Sequence, residues 1–204
     1  MTKIVLASGS VDRKKIIEYA KIQFEILISD VDEEKYKAQL TDPIALVKKL
    51  AEVKALAAKR FLIPENEHAI VIAADTIVYH EGKIIGKPID EHQAFTFLRR
   101  LMGSEHELIT GVAITDTKSW RIIIDHDSTL VRFSNLSDDE IWGYLQTGEW
   151  MGRAGAYSLR EKASLFVESI KGSPSNVLGL PMHKVNSILK REFGVNLMRT
   201  LPIY

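Results

Sequence analysis

The residues best suited to chemistry follow an apolar run in the first half of the chain. Residues 69 to 74 are apolar and partly β-branched, which predicts a buried strand, and Asp75 comes where that strand would meet solvent. A carboxylate there can hold a metal ion or activate a water molecule. Lys87, in a Gly-Lys-Pro triplet, follows a predicted hairpin whose turn contains Gly82, and the hairpin would return this lysine toward Asp75. The pair favours phosphate chemistry, and the alternative is an Asp that caps a turn and a solvated Lys.

A second candidate anion site lies near the N-terminus. Residues 3 to 8 predict a strand, and a Ser-Gly-Ser turn that ends at Ser10 leads into a predicted helix over residues 10 to 20. Backbone N–H groups at a helix start attract anions, and Ser10 is the expected N-cap. Arg13 adds a cation within the first turn. This segment alone fits a phosphate site and an ordinary capped helix equally well.

Composition excludes several classes of site and partner. The 204 residues include 27 Lys and Arg and 27 Asp and Glu, so no overall positive field would collect a polynucleotide. The absence of cysteine excludes a Cys nucleophile, a Cys zinc site and disulfides. The sequence shows neither an apolar segment of membrane-spanning length nor a signal peptide, so we expect no membrane partner and a cytoplasmic location.

Strand-like and helix-like patterns alternate along the chain, with no repeat and no long linker. This alternation predicts an α/β fold in a single domain over residues 1–204. A long hairpin predicted from two consecutive strands indicates a mixed sheet. The predicted strands cover residues 3–8, 24–28, 69–79, 106–116, 119–132 and 163–170, and the predicted helices cover residues 10–20, 43–60, 90–102, 137–147 and 181–193.

Several separated segments carry a family resemblance. They are LASGSVDRKK at 6–15, DVDEE at 30–34, LAEVKALAA at 50–58, AADTIV at 73–78, GKP at 86–88 and AGAYSLREKASLFVESIKGSPSNVLGLP at 154–181. In this order they resemble the Maf family of nucleoside triphosphate pyrophosphatases, over nearly the whole chain. The resemblance implies an α/β, Maf/ITPase-like fold with a mixed sheet, flanking helices and two lobes around a central cleft. It also implies a divalent cation, Mg²⁺ or Mn²⁺, and hydrolysis of a nucleoside triphosphate to the monophosphate and pyrophosphate, and it leaves a homodimer open.

The resemblance also assigns site residues. Asp75 matches the catalytic Asp of the family, Glu33 matches an acidic active-site residue, and Lys54 and Lys87 match two active-site lysines. Glu33 lies in the acidic run of residues 30 to 34. Such a run is typical either of a solvated loop or of a site for a hard cation. Because Mg²⁺ prefers one or two carboxylates together with phosphates and waters, Glu33 and Asp75 are the candidate metal ligands. Asp75 is the expected base that orients the water.

The helix predicted over residues 43 to 60 places Lys54 near its buried face. Position 54 lies one turn from the apolar positions 50, 51 and 58, so its ammonium group needs an anionic partner or a cleft. Lys59, on the same helix, is expected to be solvated. Lys54 and Lys87 would then stabilise the phosphates of the substrate.

The chain departs from the family pattern at positions associated with the nucleobase. Where the family has Ser-Pro-Arg-Arg, this chain has Asp12 in place of the first Arg and retains Arg13. Arg160 stands where the dTTP and UTP enzymes have a Gln that reads the base, and Thr76, the third specificity position, is retained. We expect Asp12 and Arg160 to form an ion pair, with two independent surface charges as the alternative.

The remaining expected substrate contacts come from Ser8, Ser10, Arg13 and Thr76. The reaction is therefore predicted more firmly than the base, which could be noncanonical, modified or a pyrimidine. Two alternatives stay open: a nucleotide-binding regulator of cell division without turnover, and a purine triphosphatase acting on inosine or xanthosine triphosphate.

Overall fold

The structure, a computed structural model, describes residues 2–28, 30–63 and 68–199. The chain divides into two compact units. The first comprises Met1–Asp75, Thr110–Asp127 and Gly179–Tyr204, and the second comprises Thr76–Ile109 and Ser128–Leu178. The single domain over residues 1–204 stays a prediction.

Within the described residues, seven strands form one sheet, which is mixed, as the sequence predicts. The strands are β1 (Lys3–Leu6), β2 (Glu25–Ile26), β3 (Ala69–His80), β4 (Lys83–Ile85), β5 (Glu105–Asp116), β6 (Ile122–Phe133) and β7 (Val167–Lys171). Their order is β2-β1-β3-β5-β6-β7, and β4 pairs with β3. β1 is parallel to both β2 and β3, whereas β3–β4 and β6–β7 are antiparallel.

The helices flank this sheet in the chain order expected of an α/β fold. They are α1 (Val11–Tyr19), α2 (Glu33–Gln39), α3 (Pro43–Leu62), α4 (Glu91–Leu101), α5 (Asp138–Leu145), α6 (Pro174–Val177) and α7 (Met182–Glu192). The predicted N-cap is confirmed, because the Ser10 side chain accepts a hydrogen bond from the Arg13 N–H at the start of α1.

Three local predictions need correction. Asp75 is buried inside β3, with 9% exposure, instead of lying where the strand meets solvent, because the apolar pattern continues beyond it through Ile77 and Val78. The strand predicted to begin at residue 163 begins at Val167, since Glu161–Leu165 forms a short 3₁₀ helix. Helix α2 was not predicted, because it buries no residue and so lacks an apolar stripe.

The predicted hairpin around Gly82 is confirmed. Tyr79 pairs with Ile84 and His80 with Lys83, which leaves Glu81 and Gly82 as a two-residue turn. Both turn residues have positive φ, 47° and 73°, as a type I′ turn requires. The backbone therefore reverses at the position that the sequence indicates.

In the first unit, helix α3 lies directly against the backbone of β5. A Cβ atom at Gly111 would be 2.3 Å from the Val47 carbonyl oxygen, so only glycine permits this approach. Three alanines on the buried face of α3, Ala51, Ala55 and Ala58, add little bulk between the helix and the sheet. They share one hydrophobic cluster with Val5 on β1 and with Val71 and Ala73 on β3.

Lys59 is buried, contrary to the prediction that it is solvated. Its ammonium nitrogen donates to the Ser119 carbonyl and lies 3.4 Å from the Thr115 hydroxyl oxygen. A long side chain on the helix flank reaches the end of β5 in this way and has its charge hydrogen-bonded.

The second unit has its own core, built around aromatic rings. Phe133 makes edge-to-face contacts with His106, Tyr157 and Phe166, at ring-centroid distances of 4.6, 4.6 and 4.9 Å. The His106 Nε2 atom lies 2.8 Å from the Tyr157 hydroxyl oxygen. Burial lowers the pKa of His106 to about 3, so this ring is neutral near pH 7.

None of the helices in residues 2–28, 30–63 and 68–199 combines the length and apolar character needed to cross a bilayer.

Candidate active site

The candidate site in the first unit is built where β1 and β3 run side by side. The two strands are parallel with Leu6 opposite Ile72, and the Ala7 N–H donates to the Ile72 carbonyl at 2.8 Å. Three residues further along β3 is Asp75, and the chain leaving β1 turns into α1. One end of the paired strands therefore carries both a carboxylate and a helix N-terminus.

Lys54 joins the two predicted carboxylates. Its Nζ atom lies 2.6 Å from Asp75 Oδ1 and 2.8 Å from Glu33 Oε1. The side chains of Lys54 and Asp75 are 15% and 12% exposed, and that of Glu33 is 34% exposed. A lysine near the buried face of α3 thus has the anionic partners that the sequence required, and three elements, α2, α3 and β3, converge on one nitrogen atom.

Arg13 supplies a second, fixed cation. Its Nε donates to the Gly179 carbonyl at 2.6 Å, and its Nη1 donates to the Ser8 hydroxyl at 3.1 Å. Burial lowers the pKa of Arg13, and the charges of Asp75, Glu33 and Asp12 act in the opposite direction. An arginine stays protonated at neutral pH despite such a shift, so the group is a permanent positive charge.

The Ser-Gly-Ser turn is organised around the same arginine. The Ser8 hydroxyl also accepts a hydrogen bond from the Ser10 N–H at 3.2 Å, and Ser10 caps α1. Asp12, in the first turn of the helix, is buried with 9% exposure. Of the residues predicted to bind substrate, Ser8, Ser10 and Arg13 are therefore brought together.

Lys37 is a site residue that the sequence did not indicate. Its Nζ lies 2.7 Å from Glu34 Oε1 and 3.8 Å from Glu33 Oε2. Burial alone would lower its pKa, but the hydrogen bond to Glu34 and the charges of Glu34, Glu33 and Asp75 raise it above its usual value. The sequence does place Lys37 four residues after Glu33. That spacing brings two side chains together only in a helix, and helix α2 was not predicted.

The other predicted site residues belong to the second unit. Thr76 follows Asp75 on β3, Lys87 is exposed after β4, and Arg160 is half-buried directly before the 3₁₀ helix Glu161–Leu165. The expected approach of Lys87 to Asp75 and the expected ion pair of Arg160 with Asp12 stay predictions.

The two carboxylates suit a hard divalent cation. Glu33 and Asp75 each place an oxygen within hydrogen-bond distance of one nitrogen, so both oxygens can reach a single ion. Among the residues that the structure describes, no cluster of three or more His, Cys, Asp and Glu side chains is arranged as a metal site. The donor set therefore fits Mg²⁺ or Mn²⁺ that takes its other ligands from phosphate and water.

The arrangement can bind and polarise a phosphorylated ligand. Arg13, Lys54 and Lys37 provide cations, the start of α1 provides backbone N–H groups, and Asp75 is a carboxylate able to orient water.

Comparison with known proteins agrees with this chemistry. A family model described as "Maf-like protein" matches residues 3–192. A dTTP/UTP pyrophosphatase of Clostridium botulinum (strain Hall) is 42% identical over 198 residues, which are 97% of this chain and 100% of the relative. Proteins of the same name from Alkaliphilus metalliredigens and Thermoanaerobacter sp. (strain X514) are 41% and 40% identical, over 97% and 96% of this chain and 100% of each relative.

Replacing Lys54 by Met should destabilise the protein by about 1–3 kcal/mol, because the buried carboxylate of Asp75 and the half-buried carboxylate of Glu33 lose their shared cation. Lysine and methionine have similar helix propensities, so the effect reports the lost charge. Urea denaturation at pH 7 measures it. The matched control is Lys49→Met on the same helix, where a partly exposed pair with Glu52 is removed and the loss should stay below about 1 kcal/mol. Equal losses in both variants would contradict the central role of Lys54.

Proposed function

Because the chain belongs to the Maf family, we propose that it is a metal-dependent nucleoside triphosphate pyrophosphatase. The observation that carries the proposal is the Lys54 ammonium held between Asp75 and Glu33, beside the buried Arg13. This cluster combines a candidate base with cations for phosphate, as the reaction requires. The names of the relatives favour pyrimidine substrates, dTTP or UTP, for this chain as well.

In the proposed reaction, Asp75 acts as the general base, and two lysines stabilise the leaving group. Asp75 accepts a proton from a water molecule, whose oxygen forms a bond to the α-phosphorus. The bond from that phosphorus to the bridging oxygen breaks, and pyrophosphate leaves with the electron pair. Lys54 and Lys87 stabilise the charge that develops on the leaving phosphates.

Substrate binding is assigned to the segment around α1. Ser8 and Ser10 shape the turn whose backbone N–H groups would bind the phosphates, and Arg13 adds a fixed guanidinium beside that turn. Outside this segment, Thr76 on β3 would contribute a hydroxyl group. A Mg²⁺ or Mn²⁺ ion on Glu33 and Asp75 would screen the negative charge of the phosphate oxygens. A cytoplasmic location, a homodimer and the absence of polynucleotide and membrane partners belong to the same proposal.

A panel of nucleoside triphosphates assayed with Mg²⁺ or Mn²⁺ tests the function. We expect pyrophosphate, not orthophosphate, to be released, and we expect dTTP or UTP to be the best substrates. Nucleotide binding without any turnover would indicate the regulator. Preference for inosine or xanthosine triphosphate would indicate the purine enzyme.

Asp75→Asn should abolish hydrolysis and leave the protein folded, because the change is nearly isosteric but removes the base. Steady-state kinetics and circular dichroism measure the two effects. Asp116→Asn is the matched control, since Asp116 ends β5 and accepts hydrogen bonds from Ser119, away from the cluster. If Asp75→Asn kept more than about a tenth of kcat/KM, a loss under roughly 1.4 kcal/mol, the role would be wrong.

The expected coupling of Asp12 with Arg160 in base recognition is testable by a double-mutant cycle. Asp12→Arg combined with Arg160→Gln restores the residues of the family's dTTP and UTP pattern. Activity toward these two nucleotides should rise more in the double variant than the two single variants predict. Strictly additive effects on kcat/KM would exclude the coupling.

A further inference from the structure

The segment that carries Arg160 has an unusual backbone. Ala156 and Glu161 adopt left-handed conformations with φ of 63° and 58°, although neither is glycine. A left-handed conformation is unfavourable for a residue with a Cβ atom, and strain of this kind persists only when the surroundings fix the backbone. The contacts that fix it identify the residues on which the shape of this segment depends.

Glu149 makes the contacts on the C-terminal side of Arg160. Its Oε1 accepts a hydrogen bond from the Lys162 N–H at 3.1 Å, and its Oε2 accepts one from the Ala163 N–H at 3.3 Å. The residue is only 7% exposed. A buried carboxylate is tolerated when its oxygens are hydrogen-bonded, and here both bind the start of the 3₁₀ helix Glu161–Leu165.

Glu149 is itself held from the preceding helix. Its N–H donates to the Thr147 hydroxyl at 3.1 Å, and that hydroxyl donates to the Tyr144 carbonyl at 2.7 Å. Tyr144 lies in α5 and is buried in the core of the second unit. The carboxylate therefore ties the segment to a rigid helix.

The N-terminal side of Arg160 is also anchored. Tyr157 is buried, with its hydroxyl oxygen 2.8 Å from His106 Nε2 and its ring packed on Phe133. Arg160 is thus bounded by a fixed residue three positions before it and by the two amides that Glu149 binds. Two anchors this close leave the backbone at residue 160 little freedom.

We propose that Glu149 is a positioning residue for base recognition. It sets the backbone that presents Arg160 and acts on specificity through that backbone. The inference rests on the proposed function, because it takes Arg160 as a residue that faces the nucleobase. It adds a residue outside the predicted specificity set of Asp12, Thr76 and Arg160.

The test compares Glu149→Gln with Glu140→Gln. Glu140 is a matched control, because its carboxylate also accepts a backbone hydrogen bond, from the Ser137 N–H at 2.7 Å, but it caps the exposed start of α5. In Glu149→Gln one amide of the segment faces the NH₂ group of the new side chain and loses its acceptor. Glu149→Asp, one methylene shorter, is the second variant should Glu149→Gln fail to fold.

Two measurements are made on each variant. Native-state trypsin digestion reports cleavage after Arg160 and Lys162, which should be about tenfold faster in Glu149→Gln and unchanged in Glu140→Gln. The ratio of kcat/KM for dTTP over dCTP reports base selectivity independently of the amount of folded enzyme. We expect this ratio to change by at least about fivefold in Glu149→Gln alone.

Each result has a defined meaning. Unchanged cleavage would overturn the anchoring by Glu149, and faster cleavage with an unchanged ratio would overturn its role in recognition. A wild-type protein that releases no pyrophosphate from any triphosphate would refute the proposed function. That failure can be told apart from a failure of the anchoring by Glu149, because the rates of trypsin cleavage do not depend on enzymatic turnover.

Discussion

One ammonium group shared by two carboxylates holds the candidate site together. Lys54 reaches Asp75 and Glu33 at 2.6 and 2.8 Å, so helix α3, helix α2 and strand β3 are joined at one atom. Like charges this close would repel each other without the cation between them. Other features serve this arrangement: Gly111 lets α3 lie against β5, and Asp32 caps α2 at the residue before Glu33.

Local sequence patterns made much of the fold and part of the candidate site predictable. The cap at Ser10, the hairpin turn at Gly82 and the position of Lys54 near the buried face of α3 each follow from residues within a few positions along the chain. The order of strands and helices follows from the alternation of apolar patterns in the same way. Local patterns also indicated Asp75, Lys87 and Arg13 as candidate site residues, and the family resemblance assigned the active-site roles, including those of Glu33 and Lys54.

Features that depend on distant parts of the chain could not be predicted. Lys59 is buried because it reaches Ser119 and Thr115, which are far away in sequence. Lys37 joins the site through α2, a helix that buries no residue and therefore has no apolar stripe in the sequence. The binding of Arg13 to the Gly179 carbonyl joins residues 166 positions apart. No local periodicity reports contacts of this kind.

A crystal structure with Mn²⁺ and a dUTP analogue that has nitrogen between the α- and β-phosphorus tests the assignment of this cluster most directly. The account predicts that the triphosphate lies within about 4 Å of the Lys54 ammonium and the Arg13 guanidinium, with the α-phosphorus facing Asp75. It predicts an anomalous manganese peak on the Glu33 and Asp75 carboxylates. A triphosphate bound elsewhere on the protein, with Lys54 still between its two carboxylates, would contradict it.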